Sequence, residues 1–148
     1  LGRLLAVDWG ERRIGLALSD ETQVLASPLM TVGRRAGKRL PMPALLAVVT
    51  EHQPTGIVVG LPLESSGEEG TSSEAARELA RLLAERTGLP VSLHDERMST
   101  ARALGAIREQ GGSTRGRRED VDALAAAVIL QHFLDSHRRA GGTDRSRP

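Results

Sequence analysis

A central strand is predicted by the stretch Gly56-Ile57-Val58-Val59-Gly60-Leu61, which is apolar throughout and rich in β-branched residues. A strand without a polar face is typical of a sheet that is covered on both sides. Helical patterns flank this strand along the chain, because apolar residues recur at helical spacing over residues 43–51 and 72–87. A buried strand between two such helices predicts an α/β domain.

Three more strands are predicted before this one, and one after it. Residues 4–8 and 14–19 are short apolar runs on either side of a turn, which is typical of a hairpin. Residues 24–32 form a third strand, in which Pro28 favours a place at the edge of the sheet. The last strand spans residues 90–94.

The boundaries of the helices follow from capping residues and apolar spacing. Ser72 or Ser73 is expected to cap the helix that Gly88 ends, and a third helix spans about residues 99–110. The last helix runs from about residue 119 to about residue 137. Its side facing the core is predicted to consist of Val121, Leu124, Ala125, Val128 and His132. The order β-β-β-α-β-α-β-α-α predicts a mixed sheet with helices on its two faces.

Length and composition limit the kind of protein. A chain of 148 residues has the size of one domain, which we place at residues 1–137, followed by a disordered basic tail at 138–148. The absence of cysteine excludes a disulfide framework, a thiolate zinc site and a cysteine nucleophile. The longest apolar run, at 123–130, is far shorter than the roughly 18 residues of a membrane span. Asp8 comes too early for a signal peptide, so we expect a cytoplasmic protein without a membrane partner.

The basic residues are concentrated in a few clusters although the formal net charge is only +1. The clusters lie at residues 34–39, at 115–118 and in the tail after residue 137. Such clusters indicate either localised sites for nucleic-acid phosphate or solvated loops. One Trp, one Phe and no Tyr exclude a platform for stacking bases, so recognition of nucleic acid would rest on its backbone.

Acidic residues stand at three places where an apolar pattern ends or begins. Asp8 ends the first strand, Asp95 and Glu96 end the last strand, and Asp122 lies in the first turn of the last helix. Function gathers at strand carboxyl ends in open sheets of this kind, and carboxylates brought together there repel each other unless a hard cation such as Mg²⁺ or Mn²⁺ is bound. Two such ions activate water for phosphodiester cleavage. Taken singly, each acid also fits a purely structural role. Asp8 could form a turn, Asp122 could interact with the helix dipole, and Asp95 or Glu96 could form an ion pair with a nearby arginine.

Other classes of site have no support in the sequence. The four histidines lack the spacing of a zinc site, and His94 is expected to be structural. The chain has no Gly-x-Ser-x-Gly elbow of a serine hydrolase. Residues 56–60 span a strand and precede no Gly-Lys-Ser/Thr, which excludes a phosphate-binding loop.

Four segments resemble, in order, the motifs of one bacterial protein family. They are VDWGERRIGLALSD at 7–20, VGLPL at 59–63, DERMSTARA at 95–103 and DALAA at 122–126. These segments are similar to the motifs of the YqgF family, described as Holliday junction resolvases or as nucleases of pre-16S ribosomal RNA. The resemblance covers nearly the whole predicted domain and implies a ribonuclease H-like fold.

The resemblance also implies a set of site residues. Asp8, Glu96 and Asp122 would be the catalytic carboxylates and would bind Mg²⁺ or Mn²⁺. Strand alternation sends Asp95 and Glu96 to opposite faces, and the family pattern favours Glu96. The sequence departs from the family at Trp9, where tyrosine is more frequent, and at 98–99, and neither change touches an acidic ligand. The expected nucleic-acid-binding residues are Arg13, Arg97, Arg115, Arg117 and Arg118.

We therefore expect a metal-dependent phosphodiester hydrolase that processes the 5′ end of pre-16S ribosomal RNA. Two alternatives stay open: a resolvase that acts on branched DNA, and a non-catalytic module for ribosome assembly or nucleic-acid binding. The turn Asp8-x-Gly10 is also similar to the phosphate-binding turn of actin-like ATPases and sugar kinases. Those proteins bind nucleotide between two duplicated domains, and one domain of this size lacks the second half.

Overall fold

Strands and helices alternate along the chain after an opening run of three strands. The computed structural model describes residues 1–10, 12–33, 40–62, 70–96 and 118–145. The strands are β1 (Leu4–Asp8), β2 (Arg13–Ser19), β3 (Ala26–Gly33), β4 (Gly56–Leu61) and β5 (Val91–Asp95). The helices are α1 (Met42–His52), α2 (Thr71–Thr87) and α3 (Arg118–Arg145). The predicted order is confirmed for these elements, and the helix expected at 99–110 lies outside the described residues.

The five strands form one mixed sheet in the order β3-β2-β1-β4-β5. β1 pairs antiparallel with β2 and parallel with β4, and β4 pairs parallel with β5. The carboxyl ends of β1, β4 and β5 therefore meet at one edge of the sheet, next to the start of β2. β3 is an edge strand, as its Pro28 predicted, because proline has no N–H to give to a second neighbour.

Helices cover the two faces of the sheet. One face carries large side chains such as Leu5, Ile57 and Val59, which pack with the apolar residues of α1 and α2. The other face carries smaller ones, such as Ala6 and Ala17, which pack with α3. All six residues of β4 are buried, which confirms the central strand. The small residues on the second face let α3 approach the sheet closely.

The start of α2 differs from the prediction. Its N-cap is Gly70, which has no side chain to cap the helix, and neither Ser72 nor Ser73 takes that place. Ser73 is buried in the first turn, and its hydroxyl donates a hydrogen bond to the carbonyl of Pro62 instead. The hydroxyl of Ser73 is thus bonded to a residue outside the helix and does not cap the helix. Gly88 ends the helix in the left-handed conformation, as predicted.

The buried side of α3 also differs from the prediction. Leu124 is 44% exposed, and Val121, Val128 and His132 are only partly buried, whereas Ala125 is buried as expected. The helix carries alanine and other apolar residues on several of its own sides, so apolar spacing alone did not select the side that packs. The side facing the sheet includes Asp122, Ala126, Ile129, Leu130 and Phe133.

α3 continues to Arg145, whereas the sequence analysis ended it near residue 137. Arg138 pairs with Asp135 one turn earlier, and such pairs stabilise a helix. The helix thus continues over residues 138–145. The division of the chain into a domain at 1–137 and a disordered tail at 138–148 stays a prediction. Within the described part of the chain, no helix combines the length and the apolar content that crossing a membrane requires.

Candidate active site

Asp8 is the last residue of β1, the middle strand of the sheet, and it is 1% exposed. Its side chain lies on the α3 face, because Ala6 two residues earlier packs against α3 and side chains alternate along a strand. Asp8 pairs with Gly15 of β2 on one side and with Gly60 of β4 on the other. The carboxylate is thus flanked by two residues without side chains.

The two glycines make room for the other predicted carboxylates. A Cβ atom on Gly15 would lie 2.0 Å from the backbone oxygen of Asp122. A Cβ atom on Gly60 would lie 3.4 Å from Oε1 of Glu96 and 2.9 Å from Cδ1 of Ile129. Asp122 therefore lies over Gly15 on one side of Asp8, and Glu96 lies over Gly60 on the other side. The structure brings all three predicted carboxylates to the same edge of the sheet.

The pairing of β5 shows which acid of the Asp95-Glu96 pair lies on the same face of the sheet as Asp8. Asp95 pairs with Leu61, whose side chain packs on the opposite face with α1 and α2. Glu96 follows it, and its side chain contacts the position over Gly60 on the α3 face. The choice of Glu96 that the family pattern favoured agrees with this register.

Asp122 is held by an ion pair to the start of β2. Nε of Arg13 donates a hydrogen bond of 2.6 Å to Oδ2 of Asp122, and the two side chains are 23% and 0% exposed. Arg13 is one of the residues predicted to bind nucleic acid, and the structure places it against a carboxylate. The positive charge of Arg13 offsets part of the repulsion between the buried carboxylates Asp8 and Asp122.

A pair of histidines joins β5 to α3 beside this site. His94 lies in the same row as Gly60, and its Nε2 is 2.8 Å from Nδ1 of His132. Burial lowers the pKa of His94 below its ordinary value, and the neighbouring His132 lowers it further. Phe133 packs edge-on against the ring of His94. The expected structural role of His94 is consistent with these contacts, although spacing gave no signal for His132 as its partner.

The other predicted nucleic-acid-binding residues lie mostly beyond the described residues. Arg97, Arg115 and Arg117 fall in undescribed segments, as does the cluster at 34–39. Arg118 is the first residue of α3. Contacts of these arginines with nucleic acid stay a prediction.

The donor set of the site suits a hard divalent cation. Asp8, Glu96 and Asp122 offer carboxylate oxygens, the ligand type that Mg²⁺ and Mn²⁺ prefer. Oδ1 of Asp8 and Oδ1 of Asp122 are both buried, which favours a bound positive charge near them. Within the described ranges, no group of three or more histidine or carboxylate side chains is already arranged to hold a metal ion. The residue types fit the cation, and closer convergence of the side chains would be needed to enclose it.

A comparison with protein families identifies the chain. A family model described as "RuvX: Holliday junction resolvase" matches residues 2–136. The chain belongs to the RuvX family. This is the family that the four motifs indicated under the name YqgF. The match spans every described strand and most of α3.

Two bacterial proteins are similar in sequence to this chain over most of its length. A protein of Clavibacter michiganensis named "Putative pre-16S rRNA nuclease" is 45% identical over 141 residues, which cover 95% of this chain and 88% of that protein. A protein of Anaeromyxobacter with the same name is 47% identical over 133 residues, which cover 90% of this chain and 96% of that protein. The likeness extends over nearly the full length of each relative.

Among solved structures, RuvC of Thermus thermophilus in complex with a Holliday junction substrate is similar to the RuvX chain. The TM-score is 0.59 at 18% sequence identity, and the match covers 92% of this chain and 95% of that one. A second structure of RuvC from the same organism gives a TM-score of 0.57. At this level of identity the likeness concerns the fold alone, and it confirms the ribonuclease H-like class.

Proposed function

We propose that the protein is a nuclease that hydrolyses phosphodiester bonds of pre-16S ribosomal RNA at the 5′ end and depends on Mg²⁺ or Mn²⁺. The observation that carries the proposal is the placement of Asp8, Glu96 and Asp122 over adjacent strands at one edge of the sheet. The shared name of the relatives supports the RNA precursor as the substrate. Work on ribosomal RNA would place the protein in the cytoplasm.

The three carboxylates differ in their surroundings, and so in what they contribute. Asp8 is buried in the middle strand and flanked on two sides, so its position is the most constrained. Asp122 is buried and held by Arg13. Glu96 is partly exposed, so it lies nearest to the solvent from which water and substrate enter. A divalent cation bound by these oxygens would supply activated water and stabilise the leaving oxygen.

The experiment that tests the proposal is cleavage by the Asp8→Asn variant. Asparagine keeps the shape of the side chain and removes the charge of the ligand, so we expect cleavage to be abolished while the fold is retained. Without metal, the thermal stability of the variant should hold or rise slightly, because repulsion between Asp8 and Asp122 is relieved. Cleavage of a 5′-extended 16S precursor is measured with Mn²⁺ and with a chelator, and folding is checked by circular dichroism.

The matched control is Asp135→Asn, the same substitution at a carboxylate on the surface of α3. Asp135 pairs with Arg138 on the same helix and lies more than three helical turns along α3 from Asp122, so cleavage should stay at the wild-type rate. A rate near wild type in Asp8→Asn would contradict the site, and wild-type cleavage in the presence of chelator would contradict metal dependence.

A second candidate function is cleavage of branched DNA, which the description of the matched family favours. A four-way DNA junction is therefore assayed beside the RNA precursor under the same conditions. Cleavage of the junction alone would replace the RNA substrate in our proposal. Binding of either nucleic acid without cleavage in any metal would favour the non-catalytic module.

A further inference from the structure

Arg13 lies on the same face of the sheet as the carboxylates. It occupies the first position of β2, and Gly15 two residues later lies under the backbone of Asp122. Side chains alternate along a strand, so Arg13 projects toward α3 as well. Two residues of β2 therefore determine where Asp122 lies. Gly15 leaves room for the backbone of Asp122, and Arg13 binds its carboxylate.

The contact between Arg13 and Asp122 joins two charged groups. Nε of Arg13 lies 2.6 Å from Oδ2 of Asp122, which is a charge-assisted hydrogen bond. The carboxylate of Asp122, which Arg13 binds, is 0% exposed. The side chain of Arg12, the preceding residue, is exposed to solvent. A phosphate that contacted Arg13 would have to share its guanidinium with a fully buried carboxylate. Arg12 and Arg13 are thus consecutive arginines with different surroundings.

We propose that Arg13 is a positioning residue that fixes Oδ2 of Asp122 so that the carboxylate is oriented to bind a divalent cation. The inference rests on the proposed function and deepens it, because it gives Arg13 a role in metal binding rather than in contact with phosphate. Carboxylates that bind metal are generally held by a hydrogen bond to their other oxygen, and such outer partners affect both metal affinity and activity. Arg13 is suited to this task because its donor groups lie in a rigid plane.

The test compares Arg13→Gln with Arg13→Lys and with the matched control Arg12→Gln. Binding of Mn²⁺ is measured by titration calorimetry without nucleic acid, and kcat and KM are measured on the 5′-extended 16S precursor. For Arg13→Gln we expect the Kd for Mn²⁺ to rise about 10–100-fold and kcat to fall, with KM nearly unchanged. Arg13→Lys keeps the charge without the planar donors and should give an intermediate Kd. Arg12→Gln should bind Mn²⁺ as the wild type does.

Each other outcome overturns the inference in a recognisable way. A wild-type Kd for Mn²⁺ together with a raised KM would make Arg13 a phosphate-binding residue. Tighter binding of Mn²⁺ by Arg13→Gln would make Arg13 a charge that competes with the cation. If Arg13→Gln does not fold, Arg13→Lys decides, and a wild-type Kd for that variant contradicts the inference. A wild-type protein that binds no Mn²⁺ would overturn the proposed function itself.

Discussion

Two glycines, Gly15 and Gly60, allow α3 and the end of β5 to approach Asp8. At Gly15 the nearest atoms belong to the backbone of Asp122, whereas at Gly60 they are the ends of two side chains. A side chain can rotate away from an added methyl group, and the backbone of a packed helix has no such freedom. The two positions should therefore differ in their tolerance of alanine, although both glycines pair with Asp8.

We predict that Gly15→Ala lowers the free energy of unfolding by about 1–3 kcal/mol or more, because α3 must shift away from the sheet. Cleavage should fall as well, since the shift moves Asp122 away from Asp8. Gly60→Ala should have a smaller effect on stability. The matched control is Gly33→Ala, where an added Cβ has no atom within 4 Å. Urea denaturation measures the series, and equal losses at Gly15 and Gly33 would contradict the close approach.

At the scale of single elements, the turn between β2 and β3 is organised by Asp20. Its carboxylate accepts hydrogen bonds from the backbone N–H groups of Val24 and Leu25, at 2.8 and 3.0 Å, and from the hydroxyl of Thr22. These bonds, that of Thr22 first, lower the pKa of Asp20 from 3.8 to about 2. The acid that closes the first family motif thus stabilises a turn.

The lowered pKa of Asp20 predicts how the stability of the protein depends on pH. The folded state binds this proton less readily than the unfolded chain, so the contribution is complete above pH 3.8 and is lost as the pH falls to about 2. Asp20→Asn should be less stable than the wild type at pH 7, and the difference should shrink across that window. Thermal unfolding over a pH series measures it. A difference that stays constant with pH would argue against the ionised carboxylate as the cause.

At the scale of the whole molecule, binding of nucleic acid is expected to depend on arginine rather than on aromatic residues. The chain has one Trp and one Phe, and Trp9 is buried in the core with α1 and α2. Phe133 is likewise buried, between α3 and the sheet. Neither ring is available to stack on a base, so interactions with phosphate remain as the source of affinity.

We predict that replacing Arg115, Arg117 and Arg118 together with alanine weakens binding to RNA and to DNA alike. For every arginine that binds a phosphate, its removal should reduce the slope of log affinity against log salt concentration by roughly 0.7–0.9. Cleavage should recover at saturating substrate, since the carboxylates are untouched. Binding titrations over a salt series are made in the Asp8→Asn background to prevent cleavage. An unchanged slope would remove these three arginines from the interface and turn attention to residues 34–39.

Much of the fold can be predicted from local patterns in the sequence. β4 is apolar at every position, Pro28 indicates an edge strand, and Gly88 ends α2, and each of these is confirmed. Such features depend on periodicity and on backbone preferences over a few residues. Apart from the far end of α3, the observed boundaries lie within two residues of the predicted ones.

The meeting of the site residues could be expected from the sequence only in part. Asp8 and Glu96 follow parallel strands, so the topology by itself places them at one edge of the sheet. Asp122 lies on a helix that has apolar residues on several sides. Leu124 was predicted to face the core and is exposed instead. Periodicity identifies a helix reliably, but it does not select among several apolar sides of an alanine-rich one.

What the sequence by itself determined is the order of the elements, the central strand and the acids that end the strands, because each is encoded within a short segment. What only the tertiary structure decided is which groups touch. Arg13 and Asp122 are separated by 109 positions in the chain, and no local pattern links them. Glu96 rather than Asp95 lies on the face of the sheet that carries Asp8, because β5 pairs with β4 in one register. Contacts of this kind form only when the sheet and α3 pack together, so they depend on the whole chain rather than on any one stretch of it.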